Sequence, residues 1–284
     1  MKTAFVFPGQ GSQAKGMGKD LFDAFPEEVD QASELLGYCV RRLCLEDPDN
    51  VLGQTEYTQP ALYIVNALTY LRLKNEGTVP DVVAGHSLGE YDALFAAGAF
   101  DFLTGLRLVQ KRGELMSQVR DGGMAAVIGL TPEQVREVVE RELPAVDVAN
   151  FNSYEQTVIA GPKSDIAAAA SIFEKAGARG TITLQVSAPF HSRYMKPIEE
   201  QFGEFLQGFR FEPLQIPVIA NYTARPYENE KIAEYLTRQI SGSVRWVESV
   251  EYMLHQGVTE FKEVGPGRVL QRLIKQISGK FAKN

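Results

Sequence analysis

Cysteine, histidine and tryptophan are scarce in this chain, at two, three and one among 284 residues. Cys39 and Cys44 stand close together with no second pair, so neither a disulfide framework nor a Cys/His metal cluster can be assembled. Two buried thiols in a reducing cytoplasm are expected. Also missing is any apolar run of the roughly 18 residues that a membrane-spanning helix needs. Met1-Lys2-Thr3 passes into an apolar stretch without the pattern of a secretion signal. No Lys/Arg block offsets the net charge of -7, which argues against nucleic acid as a general partner. An anionic ligand must therefore meet a local basic patch. What remains is an ordinary globular composition, 44% hydrophobic and 23% charged, in a chain long enough for one large domain with a smaller companion.

The chemistry centres on Gly85-His86-Ser87-Leu88-Gly89. Asp81-Val82-Val83-Ala84 before it reads as a strand, and Glu90 to Ala99 after it reads as a helix. Strand, G-x-S-x-G, helix is the context of a nucleophile elbow. A serine on so sharp a turn needs small residues two before and two after it, where the backbones nearly touch. The helix starting there also aims its free N–H groups and positive dipole end at the reacting centre.

Upstream, Thr3 to Phe7 reads as a buried strand entering Pro8-Gly9-Gln10-Gly11-Ser12-Gln13. This loop lacks the Gly-Lys-Ser/Thr ending of a phosphate loop. It can instead lend a backbone N–H to an oxyanion hole, which an elbow enzyme completes from a second loop. Helices are expected around 18–25, 26–36 and 58–74. Asp101 caps the next helix, running to about Val119. At 100° per residue, Phe102, Leu106, Val109, Gly113 and Met116 share one face, widened by Leu108, Leu115 and Val119. Arg107, Lys111 and Glu114 fall opposite. Arg112 lies inside the apolar arc, where a guanidinium is costly unless paired. It either makes an internal contact or holds a ligand carboxylate in its planar fork.

From Met124 the pattern becomes strand 124–129, helix 132–142 behind a Thr131-Pro132-Glu133-Gln134 capping box, strands 146–149 and 157–160, helix 165–176 and strand 181–186. That βαββαβ order is the split unit of a ferredoxin-like module. It reads as an insertion at 123–187 within an α/β domain formed by 1–122 and 188–284. Helices at 193–207, 231–240 and 247–256, strands at 216–220 and 260–264, and a last helix to about Ile277 complete the chain.

An activated serine needs a base. His86 adjoins Ser87 and points away from it in an elbow, and His255 reads as a helix-end residue. His191 sits where the small module returns to the large one, facing a cleft, and is the expected base. Asp92, Asp101 and Asp121 are all open as a third member, since their spacing selects none.

Together, Pro8–Gln13, Gly85–Glu90, Gln110-Lys111-Arg112-Gly113-Glu114, Phe190-His191 and Glu263-Val264-Gly265-Pro266-Gly267 resemble the malonyl-CoA:acyl-carrier-protein transacylases of fatty acid and polyketide synthesis. The resemblance spans essentially the whole chain, in order. It implies a large α/β-hydrolase-like domain with an inserted ferredoxin-like subdomain. Ser87 resembles the acylated nucleophile and His191 its base. The N–H groups of Gln10 and Leu88 would form the oxyanion hole, and Arg112 would hold the extender carboxylate. His191 would be oriented by a backbone carbonyl in Ser243-Val244-Arg245-Trp246. Phe190 before the histidine resembles malonyl-selective members, although Ala188-Pro189 departs from their usual His-Ala.

The resemblance further implies malonyl-CoA and an acyl carrier protein, or carrier domains of a polyketide synthase, as partners, with no metal or redox cofactor, no nucleic acid and no membrane. Stretches such as Tyr57–Tyr63 resemble the free-standing enzymes that serve polyketide synthases in trans. The alternatives are a housekeeping fatty-acid transacylase, an acyl-carrier-protein thioester hydrolase, which would lack the arginine, and a non-catalytic docking module. Arg193, Lys196, Arg268, Arg272 and Lys275 are the cations available to an acidic carrier protein.

Overall fold

The computed structural model describes residues 2–186 and 188–282; Ser187, expected at the return from the small module, lies outside them. Strand β1 (Lys2–Phe7) is followed by α1 (Lys19–Ala24), α2 (Pro26–Leu36), α3 (Val40–Leu45) and the long α4 (Thr55–Asn75). β2 (Val82–Gly85) turns into α5 (Gly89–Ala96), and α6 (Phe102–Ser117) comes next. Then come β3 (Gly122–Ile128), α7 (Pro132–Glu142), β4 (Asp147–Ser153), β5 (Gln156–Pro162), α8 (Lys163–Lys175) and β6 (Gly180–Thr183). The order closes with α9 (Lys196–Leu206), β7 (Val218–Ile219), α10 (Ile232–Gln239), α11 (Trp246–His255), β8 (Val258–Glu263) and α12 (Val269–Phe281).

Two sheets result. One is parallel, in the order β7-β2-β1-β8, so the loops after β1 and β2 leave adjacent strands at the same edge. Carboxyl ends of parallel strands are where such sheets hold ligands. The other is antiparallel, in the order β4-β5-β3-β6. Its alternation is clean. Ala125, Val127 and Ile159 pack beneath α7 and α8 with Val135, Val138 and Phe173. Met124, Ala126 and Val158, one residue out of phase, face the main core instead.

Local signals explain the element ends. Thr131 and Gln134 form the expected reciprocal capping box, and Asp101 accepts the Thr104 N–H to start α6. α4 begins three residues earlier than its apolar pattern suggested and carries Pro60 inside it. β6 ends at Thr183, before the expected Val186, and Leu184 and Val186 turn to line the cavity described below. One expectation fails. Cys44 is buried, but Cys39 is exposed, because it caps the unanticipated α3, its sulfur accepting the Arg42 N–H at the helix boundary.

Candidate active site

Ser87 occupies the turn between β2 and α5 with φ of 52°, in the left-handed region that side chains rarely adopt. The tightness of the turn is measurable. A Cβ on Gly85 would stand 1.8 Å from the Gly89 carbonyl carbon, and one on Gly89 would stand 2.1 Å from the Phe7 carbonyl oxygen. Only glycine lets β1, β2 and α5 converge there. Asn221, just beyond β7, clamps the turn from both sides. Its Oδ1 accepts the Ser87 N–H at 2.7 Å and its Nδ2 donates to Gly85 O at 2.6 Å.

Ser87 Oγ lies 2.8 Å from His191 Nε2. His191, also left-handed at φ 58°, is buried, and its Nδ1 donates to Gln239 O at 2.9 Å and Gly242 O at 3.1 Å. Those carbonyls fix the tautomer: the proton sits on Nδ1, and Nε2 presents its lone pair to the serine. Burial, and next the charge of Arg112, push the imidazole down to about 3, so it is neutral near pH 7. The expected segment Ser243–Trp246 lies just after these acceptors. Val244 O is taken by the Phe151 N–H and Arg245 O by the Ser249 N–H, the first turn of α11. No aspartate fills the third place. Asp92 is buried against Asn66, Asp101 caps α6, and Asp121 is exposed on a turn.

Arg112 is the largest buried cationic side chain, 1% exposed, and among the described residues no carboxylate pairs with it. Its acceptors are uncharged. Nη1 donates to Gln59 Oε1 at 2.8 Å, and Nη2 donates to Gln239 Oε1 at 2.9 Å and to Ser87 Oγ at 3.1 Å. Its Nε has no partner, and the Tyr91 ring lies 5.6 Å from the guanidinium carbon. The serine hydroxyl therefore donates to a neutral histidine while accepting from an arginine.

The Pro8–Gln13 loop approaches the elbow closely, since a Cβ on Gly9 would stand 2.3 Å from His86 O and 3.6 Å from Leu88 N. Among the described residues, neither the Gln10 nor the Leu88 N–H donates to a protein acceptor. Asn66 Nδ2 anchors the loop by donating to Pro8 O and to Asp92, whose carboxyl burial holds well above the usual carboxylate range. His86 turns away from Ser87. Its Nε2 contacts Asn152 Oδ1 at 2.8 Å, and its ring meets buried Trp246 edge-on at 5.6 Å. His255 closes α11 at the surface.

A cavity of about 240 Å³ opens over these groups, lined by Ser87, His191, Arg112 and Phe190 and walled by Met124, Ala126 and Val158 of the antiparallel sheet. Val269, Leu270 and Leu273 of α12 border it as well. Of the candidate docking cations, Arg193 is paired with Asp147 and Lys196 with Glu199, whereas Arg268, Arg272 and Lys275 lie exposed along α12 and its start.

Sequence reading missed Gln239, whose side chain and carbonyl both enter the site. The signal was available: Ile232, Tyr235, Leu236 and Gln239 follow the 0, 3, 4, 7 spacing of a buried helical face. Glu90 was likewise given no role. It is fully buried and accepts from Tyr227 Oη, the Asn221 N–H and Gln239 Nε2. Burial still raises its carboxyl to about 7.

A parallel-sheet elbow serine, a neutral histidine and an uncommitted buried arginine describe an acyl-handling enzyme. The chain belongs to the acyl transferase domain family, which residues 4–280 match. It is 55% identical over 276 residues to the polyketide biosynthesis malonyl CoA-acyl carrier protein transacylase PksC of Bacillus subtilis (strain 168), covering 96% of each chain. Its fold superposes on a malonyl CoA-acyl carrier protein transacylase from Burkholderia pseudomallei with a TM-score of 0.95, at 49% identity and 99% coverage of both chains. A malonyl-transacylase solved in complex with its type II polyketide synthase acyl-carrier protein, PlMCAT:AntF, matches with a TM-score of 0.93 at 40% identity, covering 98% of this chain and 94% of that one.

Proposed function

We propose that the protein is a malonyl-CoA:acyl-carrier-protein transacylase that serves polyketide synthesis in trans. It moves malonyl from CoA to the phosphopantetheine thiol of a carrier protein through an ester on Ser87. The observation that carries this reading is the single oxygen, Ser87 Oγ, shared by His191 Nε2 at 2.8 Å and Arg112 Nη2 at 3.1 Å. A base for the nucleophile and a cation for a carboxylated acyl group meet at one atom.

Ser87 Oγ gives its proton to His191 Nε2 as it attacks the malonyl thioester carbonyl. The Gln10 and Leu88 N–H groups take the negative charge of the tetrahedral intermediate, and the N-terminal end of α5 adds its dipole. Collapse breaks the carbon–sulfur bond, and the CoA sulfur leaves with the proton from His191. The carrier's thiol then gives its proton to His191, attacks the seryl ester and restores the serine. Throughout, Arg112 pairs with the free carboxylate of the malonyl group. The Phe190 ring fills the space that an α-methyl group would need. The scheme uses no metal or redox cofactor and is assigned to the cytoplasm.

The strand order of the antiparallel sheet supports reading 123–187 as a ferredoxin-like subdomain inserted into an α/β-hydrolase-like domain of 1–122 and 188–284. Exposed Arg268, Arg272 and Lys275, on the helix that borders the cavity, form the docking surface assigned to the acidic carrier protein. Intact-mass analysis after incubation with malonyl-CoA tests the reading. The wild type should gain one malonyl group and Ser87→Ala none, while His191→Ala should acylate about 10²–10⁴-fold more slowly. Malonylation that survives Ser87→Ala would end it.

A further inference from the structure

Gln239 ends α10 and touches Ser87, His191, Arg112 and Glu90 at once. Its main-chain oxygen accepts from His191 Nδ1 at 2.9 Å. Its side-chain Nε2 donates to Ser87 O at 2.8 Å and to Glu90 Oε2 at 2.7 Å. Both partners are acceptors, so the nitrogen must face them, and the amide oxygen is left facing Arg112 Nη2 at 2.9 Å. Neither the amide nor the guanidinium can turn without losing a buried hydrogen bond, for Gln239 is 1% exposed and Glu90 is fully buried. Gln59, the other acceptor of Arg112, has no such tie to the nucleophile; its Nε2 reaches only Met116 Sδ.

We propose that the Gln239 side chain is the positioning residue that sets Arg112 for carboxylated acyl groups, independently of the orientation of His191 by the same residue's carbonyl. This rests on the transacylase reading above. The two functions of Gln239 are separable because one belongs to the main chain and survives substitution. An uncharged acceptor suits the task. It satisfies one Nη2 N–H without neutralising the guanidinium, so the charge stays available to an incoming carboxylate. A resident Asp or Glu at that place would make an internal ion pair and compete with the acyl group.

Rates of Ser87 acylation by malonyl-CoA and acetyl-CoA, read by intact mass, test this. Gln239→Met keeps the length and the main-chain carbonyl but removes the amide. Malonyl acylation should fall about 10- to 100-fold further than acetyl acylation, the range for losing a hydrogen bond to a charged group; the loss common to both thioesters measures the contacts that the amide also makes to Ser87 O and Glu90. In an Arg112→Ala background the same substitution should then change the malonyl-to-acetyl ratio little, because on that ratio the two residues act as one unit. Gln239→Glu, which can still hydrogen-bond to Arg112 but would pair with its charge, should also lower malonyl acylation further than acetyl acylation. Equal losses for both acyl groups, an additive effect in the double variant, or wild-type malonyl acylation by Gln239→Glu would overturn the proposal. Failure of the wild type to be malonylated at all would instead strike the transacylase reading.

Discussion

The two walls of the cavity are made of different material. On the parallel-sheet side, the lining parts are largely main chain: the left-handed Ser87 turn, the Gly9–Ser12 loop, and the Gly85–Gly89 contact beneath them. On the antiparallel side they are side chains, with Met124, Ala126 and Val158 projecting from a regular ladder, and Phe190 completing the enclosure beside it. A main-chain wall tolerates no side chain at its close approaches, since a Cβ at Gly9, Gly85 or Gly89 must displace backbone. A side-chain wall can be resurfaced one residue at a time without disturbing the ladder that carries it. Under the function proposed above, reaction type belongs to the first wall and acyl preference to the second, with Arg112 reaching from α6 to both.

The largest effect should come from the main-chain wall. Gly89→Ala places a Cβ 2.1 Å from Phe7 O, so the elbow must open or the variant must fail to fold. Acylation by malonyl-CoA and acetyl-CoA should disappear together in intact-mass assays, alongside a lowered thermal midpoint. A variant that kept either activity would show that the wall can yield.

How much of this division was legible beforehand follows from the same contrast. Gly85, Ser87 and Gly89 are letters with one steric meaning at that spacing, and Arg112 stood out because a cation broke an apolar helical arc. The βαββαβ order was readable because each element carried its own cap or alternation. Main-chain acceptors leave no letter. The carbonyls of Gln239 and Gly242 could not be selected from sequence, and the resemblance directed attention to Ser243–Trp246, where at least two carbonyls have other partners. Cys39 misled for a related reason: a small apolar residue predicts burial, but a helix cap holds it at the surface.

A second effect, smaller than the first, should separate the acyl groups. Truncating one partner of a buried charge pair costs on the order of 2–5 kcal/mol. Arg112→Ala should lose that much in malonyl transfer while keeping or gaining acetyl transfer, measured as kcat/KM for each thioester. Parallel losses would mean that the arginine serves the serine alone.

The smallest effect belongs to the side-chain wall. One methyl group in an apolar site decides about 1–3 kcal/mol, or about 10–200-fold in kcat/KM. Wild type should prefer malonyl-CoA over methylmalonyl-CoA by that order, and Phe190→Ser should narrow the gap without abolishing acylation. Competition between the two thioesters for Ser87, resolved by mass, measures it directly. Equal acylation of the wild type by both would remove Phe190 from the wall.

Trp246 gives the site an optical reporter of its own. It is the only tryptophan in the chain, so all indole emission originates from one position. That position is fully buried and in edge contact with His86, whose other end is held by Asn152 in the antiparallel sheet and whose neighbour in sequence is Ser87. Any shift of the small sheet against the elbow must move the imidazole across the indole and alter its quenching. Indole emission thus offers a readout, on the unlabelled enzyme, of any displacement between the small sheet and the elbow.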